Sequence, residues 1–383
     1  MKNIMSITYH KKTILQVVPS LVNVGVERST IDIANYLVQS GYKSLVASSG
    51  GVLLEQLNNT GSTHYLVNTA SKNPFVIWYN HTILSDIIKQ QKVDIIHVRS
   101  RASAFSSYLA ARKTKIKFIT TFHGFYNFST LIKKMYNSIL VKGDIVIVVS
   151  NFVKDHIIKH YNVPEEKIRV IHRGIDLEYF NPDNISPKKL EQCKAMYNIP
   201  KDTCVILLPA KMTKRKGHEI VIEALNAIKD CDFYCIMTGD ILSNRNFTNE
   251  IKKKIMHYKL QSKIQIFGST AHLPELYALA DIVLCPSIEP EAFSRVIVEA
   301  QAMEKVIIAS NIGSTMETIA DEVTGFHINA SDVQDLSEKI KYVLLNLTSN
   351  KMQTMRKQAR QSTLLQFSLQ QMQSKTLSVY NEL

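Results

Sequence analysis

The sequence predicts an α/β protein built from two doubly wound parallel-sheet domains. Short runs rich in Val and Ile, such as IVIVV at 145–149 and VILLPA at 205–210, alternate with helix-length amphipathic stretches along the whole chain. At 383 residues the chain exceeds one ordinary core and suits two domains. Between the two alternating series lies a cluster of turn formers, HRGIDLEYFNPDNISP from His172 to Pro187, which reads as a linker.

In the first half, apolar runs place strands at 14–18, 44–47, 94–98, 117–121, 145–149 and 168–171. Helical periodicity places helices at 27–39, 78–91, 102–112, 131–141 and 151–161. After the linker, strands are expected at 204–209, 233–238, 264–267, 282–285 and 306–309. Their helices are expected at 218–228, 249–258, 274–278, 295–303 and 333–345. The tail from 351 to 383 reads as helix, interrupted at Phe367–Ser368.

Composition narrows the function classes. With 45% hydrophobic and 21% charged residues the chain is of the soluble globular kind, and its apolar runs are far shorter than a membrane span. Tyr9, His10, Lys11 and Lys12 interrupt the N-terminal apolar stretch, so no signal peptide is expected and the location expected is cytoplasmic. The five cysteines (Cys193, Cys204, Cys231, Cys235 and Cys285) form no CxxC pair, so reduced thiols are expected and a zinc site is not. A formal net charge of +13 fits nucleic acid, anionic lipid or an anionic small substrate. Nucleic acid is disfavoured, because there is no recognition motif and the sole Trp is Trp78.

Ligands of doubly wound sheets bind in the loops beyond the strands' carboxyl ends. After the first strand, Gly25 opens a helix whose free N–H groups suit a phosphate. After the fourth comes TTFHG, with His123 placed to give or take a proton. In the second half, AKMTKRKG puts Lys211, Lys214, Arg215 and Lys216 at a helix N-terminus, against the helix dipole. A bound diphosphate would resolve that conflict. Further on, EAFSRVIVE holds Glu291 before a helix and Glu299 within it, a pair suited to accept hydrogen bonds from two sets of hydroxyls. Glu299 lies in an apolar stretch, where a carboxylate is costly unless paired. The Asp230-Cys-Asp232 letters match a metal-binding element but precede a strand, so they read as a loop and no metal is expected.

Taken in order, VGVE (24–27), TTFHG (120–124), VIVVS (146–150), VIHRGID (170–176), PAKMTKRKG (209–217), EAFSRVIVE (291–299) and SNIGSTMETI (310–319) resemble glycosyltransferase family 4. The resemblance spans nearly the whole chain. It implies a GT-B fold, two Rossmann-like domains facing across a cleft. Residues 1–180 would bind acceptor, 181–366 donor, and a helix at 367–383 would return to the first domain. Position by position it implies that Gly25, Lys211 and Lys216 hold the donor phosphates. His123 would contact the transferred sugar, Glu291 the sugar hydroxyls, the Phe293 and Ser294 amides the sugar or phosphate, and Glu299 the ribose. His123, Glu291 and Lys216 are thus the expected catalytic set. Val24, Lys211, Ser294 and Glu304 stand where the family commonly has Gly, Arg, Gly and Gly.

The implied activity is retaining, metal-independent transfer of a hexose from a UDP- or GDP-sugar, with no other cofactor, to a saccharide or lipid-linked acceptor. Cell-envelope polysaccharide or lipopolysaccharide synthesis is the expected setting. An anionic membrane surface at the inner face of the cytoplasmic membrane is a further expected partner. Arg99 and Arg101 are the candidate acceptor contacts, within 98–101, as is the stretch 125–134. A nucleotide-sugar epimerase or another GT-B enzyme is the alternative, and a basic nucleic-acid-binding protein the reading from a different class.

Overall fold

Parallel strands buried on both faces need apolar residues at every position, and the Val/Ile-rich segments supply them. The computed structural model describes residues 11–22, 25–126, 128 and 130–383. In the first unit the strands are β1 (Thr13–Val17), β2 (Lys43–Ser48), β3 (Thr63–Leu66), β4 (Ile95–Val98), β5 (Lys117–Phe122), β6 (Ile145–Val148) and β7 (Ile168–Val170). All pair in parallel, in the order β3-β2-β1-β4-β5-β6-β7. In the second unit β8 (Val205–Pro209), β9 (Tyr234–Thr238), β10 (Ile264–Phe267), β11 (Ile282–Cys285), β12 (Val306–Ser310) and β13 (Phe326–Ile328) pair in parallel as β10-β9-β8-β11-β12-β13. Each sheet reverses direction once, at β1/β4 and at β8/β11. Those switch points are where the loops at the carboxyl ends part and leave room for a ligand.

Two edge strands, β3 and β13, and the helices Leu54–Asn58, Pro187–Met196 and Thr315–Thr318 lie outside the sequence expectation. The helix Pro187–Met196 begins inside the stretch read as linker. Ser186 is its N-cap, accepting from the Lys189 amide, and Pro187 fills the first helical position, where no N–H is needed. A turn signal and a helix start look alike there.

The compact units are Met1–Ile171 with Met372–Leu383, and His172–Gln371, against the expected boundaries at 180 and 366. Residues after Ile171 stay with the second unit because Ile175 pairs with Ser368 and the His172 ring packs on Phe367. The break between helices Asn350–Gln366 and Leu369–Asn381 falls at Phe367–Ser368, where the sequence places it, with Ser368 Oγ capping the Gln371 amide. The last residues are tied into the first unit. Tyr380 Oη lies 2.7 Å from His97 Nδ1, Lys12 donates to the Tyr380 carbonyl at 2.9 Å, and Arg169 pairs with Glu382 at 2.7 Å.

Candidate functional site

Two loops leave neighbouring strands at the β8/β11 switch point of the second unit. After β8 the chain passes exposed Lys211, makes a 3-10 turn at Lys214–Lys216, and enters the helix His218–Ala227 through Gly217. After β11 comes Pro286–Ser294, then the helix Arg295–Ala302. The loops are joined by a backbone bond, Ile288 N–H to the Arg215 carbonyl at 2.9 Å. Lys216 Nζ donates to Glu291 Oε1 at 2.6 Å, Ser287 Oγ donates to the same oxygen, and Arg215 stands 4.0 Å from Oε2. Glu291 is 7% exposed, so these partners are what makes its burial tolerable. The carboxylate also answers part of the conflict read from the sequence: it compensates Lys216 and lies within ion-pair range of Arg215, while Lys211 and Lys214 are exposed.

Glu299 is buried in the helix Arg295–Ala302. Its carboxylate takes a 3.0 Å ion pair from Arg295, one turn earlier, and a 3.0 Å hydrogen bond from the Tyr277 hydroxyl. Burial lifts its pKa above the usual carboxylate range, and Arg295 and Tyr277 oppose that shift. Phe293 packs between His172 and Phe367, and Ser294 Oγ lies 3.2 Å from Cys285 Sγ. Gly313, in the left-handed region at φ +65, lets its segment press on the Glu291 backbone, where Ser314 N–H donates to the Glu291 carbonyl at 3.1 Å. Lys211, Lys216, Glu291, Phe293, Ser294 and Glu299 thus sit on the loops and helix starts of one switch point. Ser287 and Tyr277 were not singled out in the sequence; Ser287 could have been, from its place in the same β11 loop. Asp230 and Asp232 lie in the loop before β9, as read. Glu304 adopts φ +54, the conformation for which the family commonly uses Gly.

In the first unit His123 follows β5 directly and is half-buried. Gly124 has no Cβ to meet the Tyr126 ring, which lies 2.8 Å from where one would stand. Gly25 opens the helix Gly25–Gln39 after β1, and its neighbour Val24 lies outside the described residues. Arg101 donates to Asn137 Oδ1 at 2.6 Å and stacks its guanidinium 3.9 Å over the Tyr126 ring. It is half-buried.

Arg99 is a correction. Expected at the acceptor surface, it is 4% exposed, and its guanidinium donates to Gln16 Oε1 at 3.0 Å and Ser29 Oγ at 3.3 Å. It is a framework cation joining β1, the helix Gly25–Gln39 and the loop after β4. Burial lowers its pKa, with Tyr380 and Asp32 opposing. Arg99→Met should therefore destabilise the first unit by about 1–3 kcal/mol, since buried partners lose their donor. Thermal melting checks this. A normal melting temperature with loss of acceptor use alone would return Arg99 to the acceptor surface.

Residues 24–179 match the family profile described as Glycosyltransferase Family 4, and 191–362 match Glycosyl transferases group 1. A solved glycosyltransferase from Rickettsia africae is 48% identical, with a TM-score of 0.92 over 98% of this chain and 99% of that one. The N,N'-diacetylbacillosaminyl-diphospho-undecaprenol alpha-1,3-N-acetylgalactosaminyltransferase of Campylobacter jejuni is 26% identical over 75% of this chain and 78% of its own. Anabaena HepE, solved in complex with UDP, shares the fold at 21% identity, with a TM-score of 0.83 over 97% of this chain and 100% of that one. Two Rossmann-like sheets, loops rich in cations and carboxylates at a switch point, and these matches agree: the chain belongs to the group 1 glycosyltransferases, with a family 4 N-terminal domain and a GT-B fold.

Proposed function

We propose that the second unit binds a nucleotide-sugar at the β8/β11 switch point and that the enzyme transfers its hexose, with retention, to a saccharide or lipid-linked acceptor. The observation that carries this is the Lys216–Glu291 pair, held at 2.6 Å between two loops on adjacent strands. It puts a cation suited to a diphosphate beside a carboxylate suited to sugar hydroxyls. Glu299, oriented by Arg295 and Tyr277, is assigned to the ribose, and Lys211 with the Phe293 and Ser294 amides to the phosphates. His123 and Gly25 of the first unit are assigned by the family resemblance.

In the reaction the bond from the sugar's anomeric carbon to the diphosphate breaks, and its electron pair leaves with the diphosphate. The acceptor oxygen bonds to the same face of that carbon, and the acceptor proton passes to the departing phosphate. Charge grows on the leaving group, and preorganised cations stabilise it more than the ground state. In this proposal the side chains carry that compensation without a bound metal ion. A lipid-linked acceptor in cell-envelope glycan synthesis, met at the inner face of the cytoplasmic membrane, is the setting favoured by the Campylobacter relative's name. UDP leads the donors because the Anabaena neighbour was solved with it, and GDP follows.

The test is a screen of UDP-, GDP-, ADP- and dTDP-sugars for thermal protection and slow donor hydrolysis. One of them, at about 100 times its dissociation constant, should stabilise the protein by roughly 2.7 kcal/mol. Protection by none of them refutes the reading.

A further inference from the structure

A pocket of about 740 Å³ lies in the second unit and draws no lining residue from the β8 or β11 loops. Its walls come from the stretch 178–185, the helix Pro187–Met196 and the start of the helix Leu273–Leu279. The two helices pack on one another. The first of them is shallowly seated: Cys193 is its buried residue, and Met196, on the pocket, is 52% exposed. A volume of that size falls within the roughly 300–1,000 Å³ of small-molecule sites.

Glu275 makes this pocket more than a gap between helices. It lines the pocket and is 9% exposed, yet its carboxylate makes no hydrogen bond among the described residues. Its ion pair there is with Lys189 Nζ, 3.9 Å away, and the Lys189 side chain is 62% exposed. Glu291 and Glu299, buried to a similar degree, each hold two protein donors at hydrogen-bond distance. The charge is felt nearby: burial, and after it the Glu275 carboxylate, pushes the Cys193 thiol up to about 11. A buried carboxylate without close donors is costly, and a cation entering the pocket removes that cost.

The rest of the lining defines the cation. Glu178 supplies a second carboxylate, and Lys189 is the sole Lys or Arg among the lining residues. Ile185, Met196 and Pro274 add apolar surface. Among the described residues no group of three or more His, Cys, Asp and Glu is placed to hold a metal ion, so a bare metal cation does not fit. Two carboxylates with apolar walls suit a flexible aliphatic amine: each ammonium offers three donors, and the methylene chain covers apolar surface. An ammonium at Glu275 would form a charge-assisted hydrogen bond to a carboxylate that folding has already desolvated.

We propose that this pocket binds an aliphatic diamine or polyamine, with one ammonium on Glu275, a second on Glu178, and the methylene chain along Ile185, Met196 and Pro274. The proposal stands apart from the nucleotide-sugar reading, so its test needs neither donor nor acceptor. Binding of cadaverine and of spermidine to the full chain is measured by isothermal titration calorimetry, with cellobiose as an uncharged control. One amine per chain is expected, and no cellobiose. Glu275→Gln keeps the shape and removes the charge, and should weaken amine binding about tenfold, the loss typical of one hydrogen bond to a charged group. Lys189→Met removes the competing cation and should tighten binding about twofold to fivefold. Lys189 is exposed, so this variant should melt like the wild type and report on the pocket even where Glu275→Gln does not fold. Absence of amine binding by the wild type overturns the proposal. Binding that neither variant changes overturns it too, by placing the amine on carboxylates elsewhere. Weaker binding by Lys189→Met, or cellobiose bound in place of the amine, removes the cation assignment and the proposal with it.

Discussion

Lys216→Ala is expected to lower turnover by about 10²–10³-fold while leaving the protein folded, the loss of about 2.7–4 kcal/mol typical of removing one preorganised stabiliser of developing charge. The side chain sits on a loop, not in a sheet core, and its ammonium is the nearest cation to Glu291. Two things change when it goes. The leaving diphosphate loses a cation that is proposed to grow in value as charge develops, and Glu291 keeps only Ser287 and the more distant Arg215. A double-mutant cycle separates them. If Lys216 and Glu291 act as a unit, Lys216→Ala combined with Glu291→Gln should cost far less than the sum of the two single losses. If Lys216 acts on the diphosphate alone, the losses should add. Turnover of Lys216→Ala close to wild type in a sample with normal melting would remove the diphosphate assignment altogether.

The fold was legible because parallel sheets leave a strong mark. A strand buried along its whole length, such as β11, has bounds that the apolar run matches at both ends. The edge strands β3 (THYL) and β13 (FHI) did not stand out, being short and mixed in polarity; an edge strand with an exposed side needs no continuous apolar run. The site was legible to the extent that it is local. Lys211–Gly217 and Glu291–Glu299 each announce themselves as charges at a strand–helix turn, where a structural sequence has little reason to place them. What joins them is not local. That Lys216 reaches Glu291, that Tyr277 holds Glu299 from another helix, and that Gly313 abuts the Glu291 backbone all depend on strand order, which the spacing of letters does not contain. Arg99 shows the same gap from the other side. An Arg at a strand's carboxyl end reads as a ligand contact, and only the packing of Gln16 and Ser29 around it reveals a framework role.

Gly217→Ala should do nearly as much harm as losing Lys216, although it removes no functional group. Gly217 has φ +76, a conformation that costs a residue with a Cβ about 1–2 kcal/mol. The space is closed as well. A Cβ there would stand 2.0 Å from the Pro286 carbonyl oxygen and 3.0 Å from its carbon, both backbone atoms with no rotamer to escape into. Either the β8 loop or the β11 loop must move, and the movement falls on the bond from Ile288 to Arg215 and on the Lys216–Glu291 pair beside it. A displacement of about 1 Å in a catalytic group can cost roughly 10²-fold in rate. A loss of that order in turnover is therefore expected, together with a lowered melting temperature. Gly268→Ala supplies the comparison, since a Cβ at that position would meet only the Ile241 Cδ1 atom at 3.9 Å. It should melt and turn over like the wild type. If the two alanine variants behave alike, close contact between the β8 and β11 loops is not what holds the cation against the carboxylate. If only Gly217→Ala fails, a glycine with no chemistry of its own sets the geometry on which the proposed diphosphate site depends.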